Sequence, residues 1–167
     1  SSDGQYVFYT QKDETLRSHK VYRHRFGTKA KEDKEIYHEE DSTFVCSCYK
    51  SKSQDYIIIG SHSTVSNEYH YLNASNPKGE FQLIQARERD LEYSVAHFGE
   101  YWYIRTNIND AQNFCLMRCP IELGPKENWE VVVPHRPEVY LEGIEIFEDF
   151  LVLEERERGL TRIRIHS

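Results

Sequence analysis

The sequence is poor in the features that mark several large classes of protein. Its apolar runs are short, Tyr56–Ile59 among them, and none approaches the roughly 20 apolar residues of a membrane-spanning helix. No basic, apolar, small-residue stretch opens it, so no signal peptide is read in these 167 residues. Lys and Arg are not clustered and the formal net charge is −7. That balance disfavours nucleic acid, because phosphate binding needs a concentrated basic surface. Gly and Pro stand at 8 and 5 residues, which excludes collagen-like and low-complexity chains. No Cys-x-x-Cys pair occurs among Cys46, Cys48, Cys115 and Cys119, so a zinc ribbon fails on spacing. Cys46 and Cys48 lie two apart in a strand-like stretch and share a face, a separation that rarely meets disulfide geometry. All four are expected to be buried, reduced thiols of a cytoplasmic protein, with the periplasm as the alternative.

What the sequence does contain is aromatic and repetitive. It has 12 Tyr and 8 Phe, and charges arrive in mixed runs such as KAKEDKE and EERERG. Four segments align: GQYVFYT from Gly4, QDYIIIG from Gln54, GEYWYIR from Gly99 and EDFLVLE from Glu148. Each has two small or polar residues, an aromatic, then an apolar β-prone run. The aromatics are Tyr6, Tyr56, Tyr101 and Phe150, at spacings of 50, 45 and 49. A second run follows every copy (HKVYRH, NEYHYL, NFCLMR, LTRIRI), and a third follows the first three (KEIYHE, GEFQLIQ, NWEVVVP). Another precedes the last three (TFVCSCY, LEYSVAHF, VYLEGIEIF). β-Branched and aromatic residues dominate these runs and helical periodicity is absent.

The unit is therefore four short antiparallel strands in about 45–50 residues, the period of propeller blades. Immunoglobulin-like sandwiches would need about 100 residues per unit. The prediction is an all-β propeller fragment of about four consecutive blades, near 1–40, 41–86, 87–136 and 137–167, with the first and last incomplete. The chain is expected to begin at a second strand and to end after a third. Turns between second and third strands, at Gln11–Ser18, Ser61–Asn67, Thr106–Gln112 and Glu154–Gly159, should share one rim. The blade-joining loops around Glu39–Ser42, Ala86–Asp90 and Pro134–Glu138 should share it too.

Several separated motifs then resemble one family. The stretch Val21-Tyr-Arg-His-Arg-Phe-Gly27-Thr28, with Glu32-Asp33 after it, is similar to the propeller of the prolyl oligopeptidase family, and within it to the oligopeptidase B (protease II) group. Leu91-Glu92-Tyr93-Ser94, Val152-Leu153-Glu154-Glu155-Arg156 and Arg158-Gly159-Leu160-Thr161 extend the resemblance along the chain. It implies a serine peptidase in which a seven-bladed propeller caps an α/β-hydrolase domain, cleaving short peptides after Arg or Lys and excluding folded proteins. The partners so implied are that hydrolase domain and short basic peptides, with no nucleic acid, membrane, metal or cofactor. The hydrolase domain is expected to lie outside this segment, because no G-x-S-x-G elbow occurs here.

Without a nucleophile, the candidate site is the loop rim, where binding residues usually sit. The residues proposed for an interdomain, substrate-gating face are His62, Ser63, Arg105, Asn107, Glu155, Arg156 and Arg158. Glu155–Arg158 are read either as a surface turn with internal ion pairs or as a charged loop that clamps the hydrolase domain. No catalytic residue and no metal ligand is assigned: His62, His97 and His135 lack ligand spacing. The alternative reading is a stand-alone interaction propeller of the WD-repeat kind. The Trp-Asp dipeptide of that class is missing, Trp occurring only at 102 and 129. A propeller glycosidase would need paired inner-strand carboxylates, which are not seen. Asn73-Ala74-Ser75 is a formal sequon read as without meaning.

Overall fold

The structure is a computed structural model that describes all residues 1–167. It is all-β, with no helix beyond three 3-10 turns of three residues each. The chain divides into two compact units, Ser1–Glu88 and Arg89–Ser167.

In the first unit, β1 (Tyr6–Lys12), β2 (Ser18–Arg25) and β3 (Lys34–His38) form a three-stranded antiparallel sheet. β4 (Val45–Lys50), β5 (Tyr56–His62), β6 (Asn67–Asn73) and β7 (Gln82–Gln85) form a four-stranded one. The second unit has the reverse order, a four-stranded sheet of β8 (Tyr93–Phe98), β9 (Tyr101–Thr106), β10 (Cys115–Pro120) and β11 (Glu130–Val133), then a three-stranded one of β12 (Val139–Ile146), β13 (Leu151–Glu157) and β14 (Leu160–His166). Every strand pairs antiparallel with its neighbour in sequence, so each sheet is a simple meander. The predicted runs are the observed strands.

The small residues before each repeat aromatic have a conformational reason. Gly4, Gln54 and Gly99, two positions ahead of Tyr6, Tyr56 and Tyr101, have φ of +67°, +69° and +60°. That left-handed backbone feeds the chain into the strand, and glycine adopts it without Cβ strain. In the fourth copy a turn closed by Phe147 N–H to Phe150 O at 2.8 Å replaces it.

Burial follows the sheet. In the first unit Val21, Cys46 and Ile59 make one cluster and Ile57, Leu72 and Ala74 another, with Phe8, Cys48 and Phe81 packed against both. β5 is buried on both faces across Ile57–Ser61, which explains its unbroken apolar run. In the second unit Phe114, Leu116, Leu141 and Leu153 are the centre. The four cysteines are unpaired; burial pushes the Cys48 thiol up to about 12 and Cys46 to about 11, so neither is a thiolate near neutral pH.

One expectation fails. Glu155 and Arg156 are not in a turn. The β13–β14 turn is only Arg158-Gly159, with φ of +52° and +80°, the two-residue type that hairpin twist favours. So tight a turn draws Glu155, Arg156 and Glu157 into the ladder, opposite Arg162, Thr161 and Leu160. Strand alternation then sends Glu155 inward, where it is 1% exposed.

Gly99 isolates the conformational term, since a Cβ there would meet nothing within 4 Å. Gly99→Ala should cost about 1–2 kcal/mol, read by denaturant unfolding followed through Trp102 and Trp129. Gln54→Gly should go the other way, gaining up to about 1 kcal/mol. A neutral Gly99→Ala would show that the left-handed turn does not constrain the repeat.

Candidate functional site

Each unit gathers its candidate loops at one end of its sheets. In the first unit these are turn 13–17, connection 39–44, turn 63–66 and Arg87–Glu88. Arg17 joins two of them, donating from Nη1 to Asp41 O at 3.0 Å and to Phe44 O at 2.8 Å. Ser66 Oγ joins two more, donating to Glu88 O at 2.9 Å.

The centre of this end is a buried carboxylate. Glu39 is 3% exposed, and Arg87 Nη2 donates to its Oε2 at 2.6 Å. Tyr37 Oη donates to the same oxygen at 3.0 Å, Ser61 Oγ donates to it as well, and the Asp41 N–H reaches Oε1 at 3.0 Å. Arg87 also donates to Glu68 from its backbone N–H at 3.0 Å and from Nη2 at 3.3 Å. Its guanidinium lies 3.9 Å over the Phe44 ring. Burial pushes the Glu39 carboxyl upward, but the hydrogen bonds from Arg87, Ser61 and Asp41 more than offset that and hold it below 4.5. Burial raises Tyr37 to about 12, and the neighbouring Glu39 adds to it.

In the second unit the end comprises connection 89–92, turn 107–114, connection 134–138 and turn 158–159. Asn107 fastens the first of these: its Oδ1 accepts from Glu92 N–H at 2.9 Å and its Nδ2 donates to Asp90 O at 3.0 Å. Glu155 is the buried carboxylate here, held by Arg136 and, at 3.2 Å, by Arg164. Arg105 donates from Nε to Leu141 O at 2.5 Å and from Nη2 to Tyr140 Oη at 3.2 Å. Its guanidinium stacks 3.6 Å over Phe114.

The seven residues chosen from the sequence thus fall into different classes, and no hydrogen bond or ion pair joins any two of them. Ser63 closes its own turn by donating to Ser66 O from both N and Oγ. Arg156 is exposed and pairs with Glu142 at 2.6 Å. Arg158 is exposed at its turn. His62 stands 3.3 Å from Ser47 Oγ and 2.9 Å from Asn67 Nδ2, which superficially resembles hydrolase machinery. The chemistry runs the wrong way. An amide N–H given to Nδ1 leaves the proton on Nε2, so the ring donates to Ser47 and cannot take its proton. Gly60 permits the arrangement, because a Cβ there would stand 2.5 Å from His62 Nε2. No group of three His, Cys, Asp or Glu is placed to hold a metal.

Glu39, Glu68, Arg136 and Tyr37 were not chosen from the sequence. The available signal was register: Ser61, Thr106 and Glu155 each fall five residues after a repeat aromatic, a polar side chain where strand alternation demands an apolar one.

Four meanders with this repeat find their counterpart among known proteins. The family described as "Prolyl oligopeptidase, N-terminal beta-propeller domain" matches residues 1–167. The chain belongs to the prolyl oligopeptidase family. Among its relatives in that family are dipeptidyl aminopeptidase BI of Pseudoxanthomonas mexicana, 40% identical over 99% of this chain and 23% of the relative, and protease 2 of Moraxella lacunata, 37% identical over 96% and 23%. The solved oligopeptidase B of Leishmania major matches with a TM-score of 0.89 at 34% identity, over 97% of this chain and 23% of that one. The chain therefore spans about a quarter of the length of these prolyl oligopeptidase relatives, and it is their propeller that it matches.

An unfolded glutamate takes up its proton near 4.5, and the folded Glu39 carboxyl only at lower pH. Its stabilising contribution is complete above 4.5 and is lost as pH falls through the folded value. Glu39→Gln should cost about 1–3 kcal/mol at neutral pH: Arg87 keeps Glu68, but the buried hydrogen bonds from Arg87 and Ser61 then go to a neutral amide. It should also flatten the acid limb of a stability-against-pH curve. An unchanged acid limb would remove Glu39 from the account.

Proposed function

We propose that this propeller segment is part of the lid of a serine peptidase whose α/β-hydrolase domain lies outside these 167 residues. The lid filters short peptides and excludes folded proteins, and cleavage follows Arg or Lys. The observation that carries this reading is the match over 97% of the chain to an oligopeptidase B at 34% identity, together with the protease 2 relative.

The chemistry belongs to the other domain: a serine attacks the scissile carbonyl, a histidine moves the proton, an aspartate orients the histidine and backbone donors hold the oxyanion. The propeller's part is access. Its blades carry stability in buried clusters such as Phe114, Leu116, Leu141 and Leu153, while its loop ends carry exposed charge such as Arg156 with Glu142 and Arg158. A polar, hydrated contact can open and reclose, whereas an apolar one would stay shut.

A second reading has its own support. The 40% identity to a dipeptidyl aminopeptidase favours removal of dipeptides from the N-terminus of a peptide. Both readings share the lid and differ in which end of the substrate is read.

The full-length protein, given short peptides with internal Arg and Lys, should cut on the carboxyl side of those residues and leave a folded protein intact. Sequential dipeptide release would replace the first reading with the second, and absence of any amide hydrolysis would sink both. Within that assay Arg156→Ala should change kcat/KM by about 3-fold or more with little loss of stability, since exposed pairs contribute only ~0–1 kcal/mol to folding. Glu100→Ala, at the opposite end of its sheet, should change neither. Glu155→Ala is not an equivalent probe: removing a buried carboxylate from beneath Arg136 should cost about 3–5 kcal/mol of stability.

A further inference from the structure

Arg105 is held in place without a counter-charge. Its Nε and Nη2 are fixed by Leu141 O and Tyr140 Oη, and its plane lies against Phe114 at 3.6 Å and Tyr140 at 5.5 Å. Nη1 has no acceptor, and no carboxylate pairs with the group. The same unit pairs Arg136 with Glu155, Arg156 with Glu142 and Arg162 with Glu157. Arg158 is also unpaired, but nothing holds it.

Arg87 in the first unit shows the filled version of this arrangement. It too stacks on an aromatic, Phe44 at 3.9 Å, and its fork is occupied by Glu39 and Glu68. Arg105 has the aromatic floor and the fixed stem, with the fork left open. The floor itself is strained: Phe114 has φ of +61°, an uncommon backbone for a bulky side chain. Strain of that kind persists where surroundings over-determine it, and it collects at binding sites. A half-buried guanidinium without an anion is unfavourable relative to one with a carboxylate, and the planar fork suits a carboxylate in two parallel hydrogen bonds.

We propose that Arg105 is a pre-organised receptor for one carboxylate supplied from outside this segment. Two sources carry that chemistry: the α-carboxylate of a bound peptide, or an acidic side chain elsewhere in the full-length polypeptide. The proposal rests on the peptidase reading for the identity of the peptide, not for the receptor.

The test uses full-length protein as wild type, Arg105→Gln and Arg105→Lys. The probe is a short fluorescent peptide whose bond after arginine is N-methylated against cleavage, made as free acid and as C-terminal amide. Binding is read by polarisation and compactness by small-angle scattering. If the peptide is the source, wild type binds the acid about 10-fold or more tightly than the amide, Arg105→Gln loses the preference and Arg105→Lys keeps part of it. If the source is internal, acid and amide bind alike, and Arg105→Gln expands the protein as about 0.5 M salt expands the wild type. Equal binding of acid and amide, with no expansion in Arg105→Gln, overturns the proposal; should that variant not fold, Arg105→Lys is read by the same two measurements. Polarisation needs no turnover, so a wild type that cleaves nothing would sink the peptidase reading while leaving the receptor measurable.

Discussion

In the strand that follows a repeat aromatic, the residue five positions on is polar and buried in three copies: Ser61, Thr106 and Glu155. Each ties down the connection that enters its sheet. Ser61 donates to Glu39, Thr106 Oγ1 donates to Glu92 O at 2.9 Å, and Glu155 accepts from Arg136. A buried hydroxyl or carboxylate is unfavourable unless paired, so the partner must come to the strand. Glu39, Glu92 and Arg136 all stand on blade-joining connections. The requirement to satisfy one inward polar group therefore sets where each connection lies, and through it the shape of the loop end. The first copy has Gln11 at this position, and Gln11 is exposed.

Apolar contacts could not do this task as specifically. A leucine at 155 would pack against whatever surface closed over it, with little preference for register. A carboxylate accepts hydrogen bonds in fixed directions, and at 1% exposure it depends on Arg136 and Arg164 to supply them. The cost is desolvation, which is several kcal/mol per ion before pairing. Specificity of loop position offsets that cost, with the sheet cores supplying the stability.

This division explains which parts of the molecule were legible in the sequence. Strands were legible because alternation and the Tyr6, Tyr56, Tyr101 and Phe150 repeat are local patterns. The sheet order followed, since a meander pairs each strand with its neighbour in sequence. Loop chemistry was not, because its partners are remote: Arg87 lies 48 residues from Glu39, and Arg136 lies 19 from Glu155. Reading Glu155–Arg158 as a solvated turn applied the usual rule that charge is outside. The two positive φ values at Arg158 and Gly159 shortened the turn to two residues and put Glu155 on the inward face. His62 misled in the opposite sense. It sits among hydroxyl and amide neighbours, and only the direction of the Asn67 bond shows that it is a donor in a hairpin, not a base.

The two buried clusters differ in sign, and the difference bears on what the loop ends can do. Glu39 and Glu68 share Arg87, an excess of one negative charge, whereas Arg136 and Arg164 share Glu155, an excess of one positive charge. In each the surplus group is more accessible than the central carboxylate: Glu68 is 15% and Arg164 47% exposed, against 4% for Glu39 and 1% for Glu155. Solvent can screen the surplus while the central carboxylate stays dry. A loop end built this way presents charge without depending on that charge to stay folded. Its outer residues can then be used for contacts that form and break, because the inner pair holds the backbone in place throughout.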